Sequence, residues 1–364
     1  MITLEGNSLS FRFPEVHEDA KTEIQFQRTL RIPDNGNCYP LPPGLGTFPL
    51  RHLEDFAHRV PEGWRERGGV IMPLYQAEAM WLLFGGDGPF GGYPCAIKIA
   101  AGKINAISGK PWKPELVGSK RDYVVVPTQP WLDGFCIAKD VIRQFVAMPL
   151  GSGYSVEEQI TGKPEHGGLQ IIVYPMKRER YELIQSQRAS WLPVDAALAA
   201  STGEPTLCEA RRMFARCELR AVDNAMGLAA GGRMKQQIYA DPYGLATWDQ
   251  SVWSRCFVTL ANAIQWCEFT GEAPPTKPPT AEDYTKAGLP WFDYYAADVE
   301  TLAGAPALAL VKSVAEMAAE KGEQMEMFRP DGGVNPGTVI DLGPAKPPQK
   351  PPNPFTDMKP DGIR

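Results

Sequence analysis

Residues 93–108 read Tyr-Pro-Cys-Ala-Ile-Lys-Ile-Ala-Ala-Gly-Lys-Ile-Asn-Ala-Ile-Ser. Tyr93, Cys95, Ile97 and Ile99 alternate with small or charged residues, the period of a strand with one face against a core. Ala101-Gly102-Lys103 supplies a turn, after which Ile104, Ala106 and Ser108 resume the alternation. The stretch therefore predicts a β-hairpin.

Working outward, further strands are predicted at Tyr123 to Val126, Arg143 to Met148, Tyr154 to Ile160 and Leu169 to Tyr174, with Tyr154, Val156, Glu158 and Ile160 on one face. Earlier in the chain, Thr3-Leu4-Glu5 and Ser8 to Phe13 also read as strands. Short strands divided by Gly151-Ser152-Gly153 and Thr161-Gly162-Lys163-Pro164 are the pattern of an antiparallel β-sandwich or barrel. One helix is predicted near 73–84: Pro73 suits a first helical position, Leu74, Ala77, Trp81 and Phe84 recur at steps of three and four, and Gly85-Gly86 ends it. The passage Tyr39-Pro40-Leu41-Pro42-Pro43-Gly44-Leu45-Gly46 lacks ladder donors and reads as an ordered crossing loop.

These signals assign residues 1–178 to a mainly β domain. Residues 179–230 form a connector or the start of a second unit, with an Ala-rich run at Asp195 to Ala200 and a helix or strand near Ala210 to Val222. Residues 231–300 form a smaller α+β unit, preceded by a loop at Gly227 to Gly232. An amphipathic helix is expected at 307–328, with Leu308, Val311, Ala315 and Ala318 on one stripe. The last 36 residues, 329–364, hold nine prolines and few large apolar side chains, the composition of a disordered or polyproline-like tail.

Composition bounds the function classes. The chain has 364 residues, 43% of them hydrophobic and 22% charged, enough for a substantial core. A formal net charge of -6 offers no bulk positive field for nucleic acid. No apolar run reaches the roughly 18 residues of a membrane span, and Met1 to Gly6 has no export signal. Seven irregularly spaced cysteines without a C-x-x-C pair read as free thiols in the cytoplasm.

Several runs resemble segments that recur in an uncharacterised family of bacterial and fungal proteins loosely labelled integral membrane proteins. They are Tyr123-Val124-Val125-Val126-Pro127-Thr128-Gln129-Pro130-Trp131-Leu132-Asp133-Gly134, Ile142 to Gly151, Gly167 to Ile171, Gly231-Gly232-Arg233-Met234-Lys235-Gln236, and the Thr270–Pro279 turn followed by Gly288-Leu289-Pro290. The resemblance covers most of residues 40–295 and implies no activity, cofactor or site residue. This chain departs from the label in having no spanning segment.

The residues that carry chemistry are few. Of four histidines, His52 and His58 flank Glu54 at a spacing that would place all three on one face of a strand, but no H-E-x-x-H accompanies them and the stretch reads as polar surface. No metal or cofactor is expected. The glycine run 85–92 follows the predicted helix instead of opening one, and Gly102-Lys103-Ile104 and Gly109-Lys110-Pro111 lack the hydroxyl of a phosphate loop.

Asp133 and Glu158 are candidate acids, with His166 as a base, and Cys136 is a candidate nucleophile if the fold brings His166 to it. Glu157 and Glu158, as strand neighbours, point to opposite faces. Trp112 and Trp131 lie in turn-rich segments and are candidate stacking surfaces. The absence of a complete catalytic constellation favours a non-catalytic protein acting through protein contacts or self-assembly, with a protein partner or a homo-oligomer. The alternatives are a hydrolase or carbohydrate-active enzyme using Asp133, Glu158 and His166, or a sugar-binding module using Trp112 or Trp131.

Overall fold

A computed structural model describes residues 1–85, 92–118, 122–189, 225–274, 278, 291–295, 300–323 and 339–344. In chain order the strands begin with β1 (Ile2–Glu5), β2 (Ser8–Arg12), β3 (Lys21–Thr29), β4 (Cys38–Tyr39), β5 (Gly44–Thr47), β6 (Arg51–His52), β7 (Val70–Leu74) and β8 (Ala79–Gly85). They continue with β9 (Cys95–Ala101), β10 (Ile104–Asn105), β11 (Val124–Val126), β12 (Trp131–Leu132), β13 (Gly134–Ala138), β14 (Val141–Pro149) and β15 (Leu169–Pro175). After these come β16 (Met226–Lys235), β17 (Ser254–Asn262), β18 (Trp291–Tyr295) and β19 (Val339–Pro344). The fold is mainly β and mostly antiparallel, with a few short helices.

Among the described residues, seventeen strands share one hydrogen-bonded network. Its main path runs β1-β2-β3-β8-β14-β16, then through a single pairing, Met226 with Leu260, to β17, β15, β9 and β11. The predicted hairpin is β9 and β10, paired Ala101 with Ile104. The sequence divides the chain into units before 178 and after 231. Pairing of β14 with β16 and of β15 with β17 runs across that division. Among the described residues no helix is long and apolar enough to cross a membrane.

Four expectations are corrected. Residues 73–84 are not a helix: Pro73 and Leu74 end β7 and Ala79–Gly85 forms β8, the two joined by a turn in which Ala77 takes a φ of 63°. Met80, Leu82 and Phe84 face the core while Trp81 and Leu83 are half-buried on the opposite face. Both faces carry large apolar residues, which blurs the alternation and lets steps of three and four imitate a helix.

Conversely, Tyr154 to Ile160 is not a strand, since Val156–Thr161 is helical. The Ser155 hydroxyl accepts from the Glu158 N–H at 3.1 Å and the Glu158 carboxylate accepts from the Ser155 N–H at 3.3 Å. This reciprocal cap, closed by left-handed Gly162, overrides the alternating pattern.

The Gly227–Gly232 segment lies inside β16 and is not a loop. A Cβ on Gly227 would come within 2.8 Å of the Ser155 Cβ, one on Gly231 within 2.6 Å of the Val146 methyl, and one on Gly232 within 2.5 Å of the Pro33 carbonyl. These glycines permit close approach of neighbouring chain.

The amphipathic helix expected at 307–328 is two helices, Pro306–Ala309 and Val314–Lys321. A second reciprocal cap, Ser313 with Glu316, starts the latter, which buries Val314 and Ala318 against Ala79, Val146 and Ala229. Within the expected tail, residues 339–344 are strand β19, parallel to β18. The remainder of the tail, the Ala-rich run at 195–200, the element near 210–222 and the glycine run from 86 to 91 lie outside the described residues.

Replacing Gly231 by alanine is expected to destabilise the chain by about 1–3 kcal/mol, because neither Val146 nor the Gln144 backbone can yield without disturbing β14. Urea denaturation of the variant against the parent chain measures it.

Candidate functional site

Along β8, Trp81 and Leu83 stand two residues apart and so share a face. Strand β12 pairs with β8 so that Trp131 lies opposite Leu83. Asp133, two residues beyond Trp131, returns to the same side. These four side chains floor a cleft of about 320 Å³, whose remaining walls are Leu41-Pro42-Pro43-Gly44 and Phe292. The first wall and Phe292 belong together: Leu41 and Phe292 exchange backbone hydrogen bonds at 2.9 Å in both directions. Gly44 lies against the Trp81 indole, where an added Cβ would be 3.1 Å from the ring. The Trp81 N–H is buried and has no acceptor among the described residues.

Two buried glutamines hold the floor in place. Gln236 donates to Asp133 Oδ2 at 2.6 Å, and its Oε1 accepts from the Asp133 N–H at 3.0 Å. Gln129 donates to the Trp131 carbonyl at 3.0 Å and to the Gln237 carbonyl at 3.2 Å, and accepts from the Tyr239 N–H at 2.9 Å. Each amide thus uses donor and acceptor together, as a buried amide must to offset its desolvation. Asp133 is 2% exposed and is the one titratable group among the described lining residues. Burial pushes its carboxyl up to about 7, against the opposing hydrogen bond from Gln236.

The other candidates lie elsewhere. Glu158 is consumed by structure: its Oε1 accepts from Gly151 and Gly153 N–H groups, and Oε2 completes the cap with Ser155. His166 stands 3.6 Å from Glu157 and 3.9 Å from Glu165, and its pKa is lowered mainly by burial and next by Lys103. Cys136 is buried in β13, with its thiol pushed up to about 12 by that burial, which disfavours the nucleophilic thiolate. No hydrogen bond or ion pair links any two of Asp133, Cys136, Glu158 and His166. Trp112 packs beside the Lys98 ammonium, 5.7 Å from the ring centre, over the buried Lys98–Asp122 pair. It is not part of the cleft, whereas Trp131 is. His52 precedes a short 3-10 turn, Leu53–Phe56, so the strand spacing that would align it with His58 is absent.

The sequence reading therefore names Trp131 and Asp133 but misses Trp81, hidden in the misread helix, and the Pro42–Pro43 wall. It also misses Glu157. This buried carboxylate accepts from the Lys103, His166 and Gly167 N–H groups at 3.1, 3.1 and 2.8 Å, tying the turn of the β9–β10 hairpin to the loop before β15. The runs 123–134 and 231–236 meet at the cleft through Asp133 and Gln236. Comparison with protein-family models, curated proteins and solved structures finds nothing that matches the chain.

Asp133 gives the cleft a pH signature. In the unfolded chain it ionises near pH 4, whereas the folded chain holds its proton up to about 7. Between those values the folded state binds more protons, so its stability falls as pH rises through that window and levels off above it. Urea midpoints taken from pH 5 to pH 8 are expected to fall for the parent chain more than for Asp133→Asn, which keeps an oxygen acceptor for Gln236 but cannot ionise.

Proposed function

We propose that this chain is a non-catalytic protein-interaction module whose cleft takes an extended, proline-containing polypeptide segment. The observation that carries the reading is the pairing of two half-buried indoles, Trp81 and Trp131, with an apolar wall of Leu41, Pro42, Pro43 and Phe292. A polyproline II ligand offers a rigid apolar ridge and outward carbonyls, has little conformational entropy to lose, and is read by aromatic-lined grooves. The Trp81 N–H has no acceptor among the described residues, and a ligand carbonyl is the acceptor such a segment brings.

Catalysis is a poorer fit to the same walls. Proton transfer at a glycosidic bond needs two carboxyl groups across the substrate, and a nucleophilic cysteine or serine needs a base beside it. Asp133 faces the cleft without a second titratable partner among its described lining residues. A cytoplasmic setting agrees with the described cysteines Cys95, Cys136, Cys256 and Cys267, which are free thiols.

Titration of the full chain with a fluorescein-labelled octaproline, followed by anisotropy, tests the reading. Saturable binding is expected, weakened at least ten-fold in Trp131→Ala and less in Trp131→Phe, which keeps an aromatic face. Equal binding by all three proteins, or binding of a soluble oligosaccharide in place of octaproline, overturns it.

A further inference from the structure

Resting on the reading of the cleft as a proline-segment site, we infer that its occupant is this chain's own C-terminal segment, Pro347 to Pro354, docked within the same molecule. The described chain ends at Pro344, the last residue of β19. Strand β19 runs parallel to β18 with Ile340 beside Phe292 and Pro344 beside Tyr295. Phe292 is a wall of the cleft, bonded to the adjoining Leu41. At about 3.3 Å per residue, Pro344 lies on the order of 10 Å along the strand from the level of Phe292.

The sequence that follows is Ala345-Lys346-Pro347-Pro348-Gln349-Lys350-Pro351-Pro352-Asn353-Pro354. Pro348, Pro351 and Pro354 follow at three-residue steps, one polyproline turn apart, so a ridge of rings would recur along one face of the segment. In that conformation the six residues 345–350 that precede Pro351 span roughly 19 Å, at 3.1 Å each, which is enough to bring the second half of the segment back to the level of Phe292. Charge agrees in sign: the segment carries Lys346 and Lys350 and no acid, and the titratable group in the described lining is Asp133.

Tethering sets the magnitude. A short connection would hold the segment at an effective concentration on the order of 1 mM. An intrinsic dissociation constant of about a tenth of that concentration would fill the cleft to about nine-tenths and raise the apparent constant for any external segment about ten-fold. The tail then sets the threshold that a partner segment must exceed.

The test uses the full chain and a variant in which Pro347, Pro348, Pro351 and Pro352 are all replaced by serine. The probe is a fluorescein-labelled peptide with the sequence of residues 345–356, added in trans. The variant is expected to bind it about ten-fold more tightly than the parent chain, with the difference independent of protein concentration and lost in the Trp131→Ala background. Equal affinity of parent and variant for the peptide overturns the inference and leaves the cleft reading standing. So does binding of octaproline but not of this peptide. A difference that grows with protein concentration also overturns it, since the occupant is then the tail of a second copy. Failure of both octaproline and the peptide to bind either protein overturns the cleft reading together with the inference.

Discussion

The buried ion pair between Arg28 and Glu78 fixes the register on which the sheet depends. Glu78 has no exposed side chain and accepts from Arg28 Nε at 2.8 Å and from Nη2 at 2.6 Å, while its other oxygen takes the Tyr75 N–H at 2.9 Å. Burial raises the Glu78 pKa and the guanidinium pulls it back, so the carboxylate is tolerated only while Arg28 is in reach. Removing one partner of such a pair costs on the order of 3–5 kcal/mol, mostly through the charge left behind. That cost anchors β3 to the start of β8 and sets Arg28 opposite Met80 and Gln27 opposite Trp81. A slip of one residue would send Trp81 and Leu83 into the core and Met80, Leu82 and Phe84 out of it. The cleft exists because that slip is blocked.

From β8 the constraint passes outward in both directions. Strand β14 pairs with β8 and then with β16 along most of its length, which is possible because Gly227 and Gly231 let β14 and its neighbours approach without a side chain between them. Irregular segments that cannot join a ladder are instead held by amides. Gln144 accepts from the Ile32 N–H and donates to the Leu30 carbonyl, both at 2.8 Å, so the segment leading toward the proline wall is bonded like a strand without being one. Gln129 and Gln236 serve the floor of the cleft in the same way. A glutamine at such a place satisfies both a backbone donor and a backbone acceptor, which no apolar substitute of its size does.

This division explains what the sequence reveals. Strand β9 is buried along its whole length, yet its larger residues Cys95, Ile97 and Ile99 alternate with Ala96, Lys98 and Ala100, so it and its hairpin partner are legible from residues 93–108 alone. Strand β8 is not, because its outer face carries Trp81 and Leu83 for the cleft and so loses the polar half of the alternation. The two Ser-x-x-Glu caps, at Ser155 and Ser313, are visible in the sequence, but each competes with an apolar periodicity that points to a different element. Trp131 and Asp133 can be singled out by residue type. Their meeting with Trp81, with the Pro42–Pro43 wall and with Gln236 depends on pairings between segments about fifty to one hundred residues apart, and no local pattern encodes those. Glu158 and His166, though nearer to Asp133 in sequence, are held away from it, Glu158 by the Ser155 cap and His166 beside Glu157.

The character of Asp133 follows from the walls around it. A carboxylate facing indoles and prolines has lost its water and gained a single compensating donor, Gln236, so near neutral pH it is poised between an acceptor anion and a neutral hydrogen-bond donor. A ligand cation stabilises the anion, and a ligand carbonyl stabilises the protonated form. Filling the cleft with an apolar ring and no partner favours the neutral acid, because the charged form would be stripped of its remaining solvent. The chemistry of an occupant is therefore written into the protonation of this one group: a segment that presents a lysine beside its prolines draws the proton off, and one that presents only rings and carbonyls keeps it on.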